Sequence, residues 1–126
     1  MAVVAADNNH TVYVYDWAKK ALLSNGKGSS GVPPQVYGVV WDHFATPVEG
    51  GRQQRFCTHG ARHAKLWTIS ETGAMSSTSI TVGKVSLPHM PDVTCVQFMP
   101  PHRDEDSYGA VLLGTPKGDI LIVKVR

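Results

Sequence analysis

Three times along this chain of 126 residues an apolar strand ends in a small residue, breaks into a short polar turn, and returns as a second strand. The first unit runs Val3-Val4-Ala5-Ala6, a turn over Asp7 to His10, then Thr11 to Tyr15-Asp16-Trp17. The second runs Arg55-Phe56-Cys57-Thr58-His59-Gly60, a turn at Ala61-Arg62, then His63 to Trp67. The third runs Val111-Leu112-Leu113-Gly114, a turn over Thr115 to Gly118, then Asp119 to Val123. The matching strand-end positions Tyr15, Trp67 and Val123 lie 52 and 56 residues apart. A repeat of strands and turns at that spacing constrains the fold strongly, because each unit must bury its faces against its neighbours.

A second register lies upstream of the hairpins. Val36-Tyr37-Gly38-Val39-Val40-Trp41 overlays on Val93-Thr94-Cys95-Val96-Gln97-Phe98, with Trp41 and Phe98 57 residues apart. Further alternating runs cover His63 to Ile69, Ser79 to Val82, Tyr108 to Thr115 and Asp119 to Val125. Period-2 alternation of this kind marks strands with one covered face. Turn clusters separate the runs, and 12 Gly with 8 Pro supply them. The best helical candidate, Trp17 to Leu23, lacks an apolar face, and Asn25-Gly26-Lys27-Gly28-Ser29-Ser30-Gly31 reads as a flexible link. The expectation is an all-β chain of ten strands grouped three, four and three, with units over 1–25, 32–84 and 89–126.

A four-stranded unit at this period is the mark of a β-propeller blade. On three stretches the chain resembles the WD-repeat propellers and is most similar to the echinoderm microtubule-associated protein-like family. They are His10-Thr11-Val12-Tyr13-Val14-Tyr15-Asp16-Trp17, Phe56-Cys57-Thr58-His59-Gly60-Ala61-Arg62-His63-Ala64-Lys65-Leu66-Trp67, and Gly114-Thr115-Pro116-Lys117-Gly118-Asp119-Ile120-Leu121-Ile122. The resemblance implies about two and a half four-stranded antiparallel blades of a partial propeller. It also implies a non-enzymatic, cytoplasmic scaffold for protein–protein contacts, associated with the cytoskeleton and binding tubulin or similar partners. The sequence departs from an ordinary WD blade. The Gly-His positions fall on Gly31-Val32 and Pro88-His89, and the turn aspartate falls on Asn9, Ala61 and Lys117. The buried His–Asp hydrogen bond of such blades is therefore expected to be missing in all three units.

Composition narrows the remaining choices. Twelve Lys and Arg against ten Asp and Glu give +2, which excludes nucleic-acid binding driven by bulk charge. No apolar run approaches the roughly 20 residues a bilayer span needs, and no segment resembles a secretory signal, so no membrane partner is expected. Cys57 and Cys95 each sit in an apolar-alternating strand and read as reduced thiols of an intracellular protein.

Candidate chemistry is sparse. Cys57, His59 and His63 are the one grouping with metal-ligand residue types, giving the alternative of a small all-β domain that binds a metal or small ligand there. It lacks the paired half-sites of zinc motifs, so no cofactor is expected. The glycine-rich run lacks the order of a phosphate loop, and His102-Arg103-Asp104 lacks the other kinase elements. No strand-to-helix elbow presents a nucleophile, so an enzyme is not expected. A binding surface remains. In the propeller reading the hairpin turns gather on one face and bring together Asn8, Asn9, His10, Arg62, His63 and Lys117, joined by Lys27. Such a face has basic character with little acid and suits an acidic peptide such as a tubulin tail. Glu49, Arg52 and Asp104-Glu105-Asp106 would lie opposite. Fewer than three units leave two broad faces uncovered, so the chain is expected to join the rest of a larger propeller or to associate with copies of itself.

Overall fold

The structure, a computed structural model, describes residues 1–7, 9–28, 35–44, 54–80, 90–100 and 109–124. Among the described residues ten strands form three antiparallel sheets, and there is no helix. The first sheet holds β1 (Ala2–Val4), β2 (Val12–Asp16) and β3 (Ala21–Gly26). The second holds β4 (Val36–Trp41), β5 (Gln54–Gly60), β6 (His63–Ile69) and β7 (Met75–Ser79). The third holds β8 (Cys95–Met99), β9 (Ala110–Gly114) and β10 (Ile120–Lys124). In each sheet the spatial order follows the chain order. The three-four-three grouping expected from the alternating runs is therefore the observed one.

Four boundaries differ from the sequence reading. Ala21–Gly26 is a strand, although its first half falls in the helical candidate and its last two residues in the assigned link. Its leucines are about half exposed, so pairing with β2 rather than burial or propensity makes it a strand. The seventh strand is Met75–Ser79, ending where the expected one begins. Its register on β6 (Ile69↔Met75, Lys65↔Ser79) sets its position, while its serines and threonine face solvent. Val93 and Thr94 precede β8 rather than belonging to it, because their N–H groups go to Gly60 and Gly114. The last hairpin is also shorter, Ala110–Gly114 with Ile120–Lys124; Tyr108 and Val125 fall outside the described residues, as do Ser29 to Gly31, Glu49, Arg52, His89 and the 102–106 run.

The sheets stack face to face, with β1 against β4, β4 against β8, and β3 against β7. Between the first and second sheets Val12 and Val14 meet Phe56, Trp67 and Ile69, with Ala2, Val4, Val39 and Trp41 around them. Trp41, Phe56 and Trp67 form an aromatic row with centroids 5.1 and 5.9 Å apart. Between the second and third sheets Cys57 and Ala64 meet Val96, Phe98, Val111 and Leu113, with Leu66, Leu121 and Val123 alongside. The middle sheet thus buries both faces, and β5 is buried from Phe56 through Gly60.

Candidate functional site

The three hairpin turns singled out by the repeat share one backbone device. In each, the last turn residue is left-handed: His10 at φ 45°, Arg62 at φ 51° and Gly118 at φ 88°. Glycine adopts that conformation freely, whereas a side chain there costs about 1–2 kcal/mol. At the first turn Asp7 offsets this cost: its carboxylate accepts from the Thr11 N–H at 2.9 Å and the Thr11 hydroxyl at 2.7 Å. Those bonds hold the Asp7 carboxyl below its usual range. At the second turn the Arg62 N–H donates to Asp92 Oδ1 at 3.1 Å. At the third, Thr115 and Asp119 close the turn through Thr115 N–H to Asp119 O at 3.0 Å and Gly118 N–H to Thr115 O at 3.1 Å.

The segment before β8 fixes the second and third turns at the same end of the stack. Val93 N–H donates to Gly60 O at 2.9 Å, and Thr94 N–H donates to Gly114 O at 2.9 Å. His59 Nδ1–H donates to Val93 O at 3.0 Å, which sets the tautomer of that ring. The first turn lies on the same side, His10 being among the neighbours of His63. Exposed Asn9, Arg62 and Lys117 and half-buried His10 therefore occupy one end, whereas His63 is buried beneath it. Asn8 lies outside the described residues. The expectation of little acid at this end needs correction: Asp7, Asp92 and Asp119 all stand there. Two of them are engaged by turn donors, Asp7 by Thr11 and Asp92 by Arg62.

His63 belongs to a buried polar chain. The Thr58 hydroxyl oxygen accepts from Trp67 Nε1–H at 2.9 Å and stands 2.9 Å from His63 Nε2. Trp67 can only donate, so the Thr58 proton is available to an unprotonated Nε2. Burial, with Lys65 and two other histidines nearby, pushes the His63 pKa down to about 4. This bond gives the buried His63 ring a partner without an aspartate.

The same register separates the three metal-ligand candidates. Gly60 pairs with His63, and His59 pairs with Ala64, so His63 shares a face with Thr58 and Trp67 while Cys57 and His59 point the other way. Burial pushes the Cys57 thiol up to about 12, which opposes the thiolate a metal requires. Among the described residues no group of three His, Cys, Asp or Glu converges on a point. Cys95 is exposed on the outer face of the third sheet, away from Cys57.

No family model and no solved structure matches this chain.

Sequence reasoning missed Asp92, because it lies 30 residues from the turn it supports. It also missed Asp42, whose nearly buried carboxylate pairs with Arg55 at 2.9 Å beside the Trp41 end of β4. Alternation marks strands and faces, but a polar contact between separate runs leaves no periodic signal.

Proposed function

We propose that the three sheets are successive blades of a WD-repeat-like propeller whose hairpin-turn end is a protein-docking surface, a non-enzymatic scaffold working in the cytoplasm on cytoskeletal partners. The observation that carries this reading is the trio of left-handed turns at one end of the stack. Two of them hold a cationic or titratable side chain where glycine would be less strained, at His10 and Arg62. Backbone strain retained at the tips of these turns motivates a functional reading. Arg62 and Lys117 supply positive charge, while the Asp7 and Asp92 carboxylates are turned to backbone and hydroxyl donors of the turns. An acidic peptide of the kind carried by a tubulin tail suits such cations.

The test is co-sedimentation with microtubules of the paired charge reversal Arg62→Glu with Lys117→Glu. Capture is expected to fall about tenfold, equivalent to about 1.4 kcal/mol. It should also fall for wild-type protein on tubulin stripped of its acidic tails. Unchanged capture, with circular dichroism showing a folded variant, would remove the basic turns from the binding surface.

A further inference from the structure

The repeat register gives every residue of one hairpin a counterpart in the others, and the counterparts face the same way in the stack. Val14, Leu66 and Ile122 are one such set; Val12, Ala64 and Ile120 are another. Val12 and Val14 point from the first sheet onto the second. Ala64 and Leu66 point from the second onto the third. Ile120 and Ile122 point outward from the third sheet, meet no other sheet among the described residues, and are 69% and 71% exposed. Leu112 pairs with Ile122 on that face and Met99 lies along it, so all three strands give it apolar residues, with Gln97 and Lys124 as its polar members.

The opposite faces obey the same order in reverse. Val123 packs back onto the second sheet and Trp67 back onto the first. Their counterpart Tyr15 points away from the stack. It is stacked on Tyr13 at 6.4 Å; Val3 pairs with Tyr13 and Leu22 with Tyr15, both more than 40% exposed. One end of the molecule therefore presents the face that elsewhere packs forward, and the other end presents the face that elsewhere receives it.

We propose that a second copy of this chain covers both ends, the β8–β10 sheet of each copy lying on the β1–β3 sheet of the other. The two ends differ, so the contact is head-to-tail, and such contacts either close into rings or run on as filaments. Two copies supply six sheets, within the four to eight that close a propeller. That count rests on the propeller reading above, while the pairing of faces rests on the packing alone.

Light scattering on the 126-residue chain tests the proposal. The expected mass is twice the 13.6 kDa of one chain. Ile122→Asp and Val3→Lys, both at exposed positions, should each halve that mass. Mixed together, the two variants should recover a dimer, because one of its two contacts is then wild type and the other sets Asp against Lys. A wild-type monomer would overturn the proposal. So would a dimer broken by only one of the variants, which would mean like faces meet, or species that lengthen with concentration. Circular dichroism and the tryptophan fluorescence of each variant show whether the sheets remain folded. Tubulin capture separates the two readings: a wild-type monomer that still captures overturns only the pairing, and a dimer that fails to capture overturns only the docking function.

Discussion

Thr58, His63 and Trp67 show how a buried polar chain is satisfied without a charged member. Thr58→Val keeps the shape but leaves Trp67 Nε1–H and His63 Nε2 without their partner. The expected loss is about 1–3 kcal/mol in urea unfolding, with Thr58→Ser close to wild type. The neutral state of His63 also ties stability to pH. Its folded pKa of about 4 lies below the ordinary 6.5, so between those values the unfolded chain binds a proton that the folded chain does not. The contribution is complete above about pH 6.5, erodes as pH falls, and is exhausted once pH reaches about 4. His63→Gln should flatten the urea midpoint across that window; an unchanged slope would mean another group sets it. The residue types were legible in the sequence, since Thr58, His63 and Trp67 all fall in the repeat. Their joint contact was not. The sequence reading placed His63 on an exposed turn and with Cys57 and His59, whereas the Gly60↔His63 register turns it inward on the other face.

Elements were legible where one face is covered and the other is free. The alternation in β2 and β8 reads directly from Val12, Val14, Val96 and Phe98. The edge strands β3 and β7 carry no such signal, because their side chains are mostly exposed and their partners impose the conformation. Gly60 is where strand, turn and neighbouring sheet meet. A Cβ there would collide with Gln35 O, whose carbonyl already accepts from Ala61 N–H. Gly60→Ala is therefore expected to drive β4 from β5 and to cost about 1–3 kcal/mol or more, read as a lowered urea midpoint. Ala61→Ser next to it, at the turn, should stay within about 0.5 kcal/mol of wild type.

For the molecule as a whole, the spacing of Tyr15, Trp67 and Val123 conveyed the number of sheets and their order. It did not convey how they are joined, which depends on contacts such as Arg62 to Asp92 that span separate units. The stretch Asp92-Val93-Thr94 makes that joint. It is held to the second sheet by bonds from Arg62 N–H, His59 Nδ1–H and its own Val93 N–H, and to the third by the N–H and hydroxyl of Thr94. Mechanically this is a rivet rather than a hinge. Several short bonds to both sheets converge on these three residues, so parting the sheets at the end that carries Arg62 and Lys117 requires breaking them together.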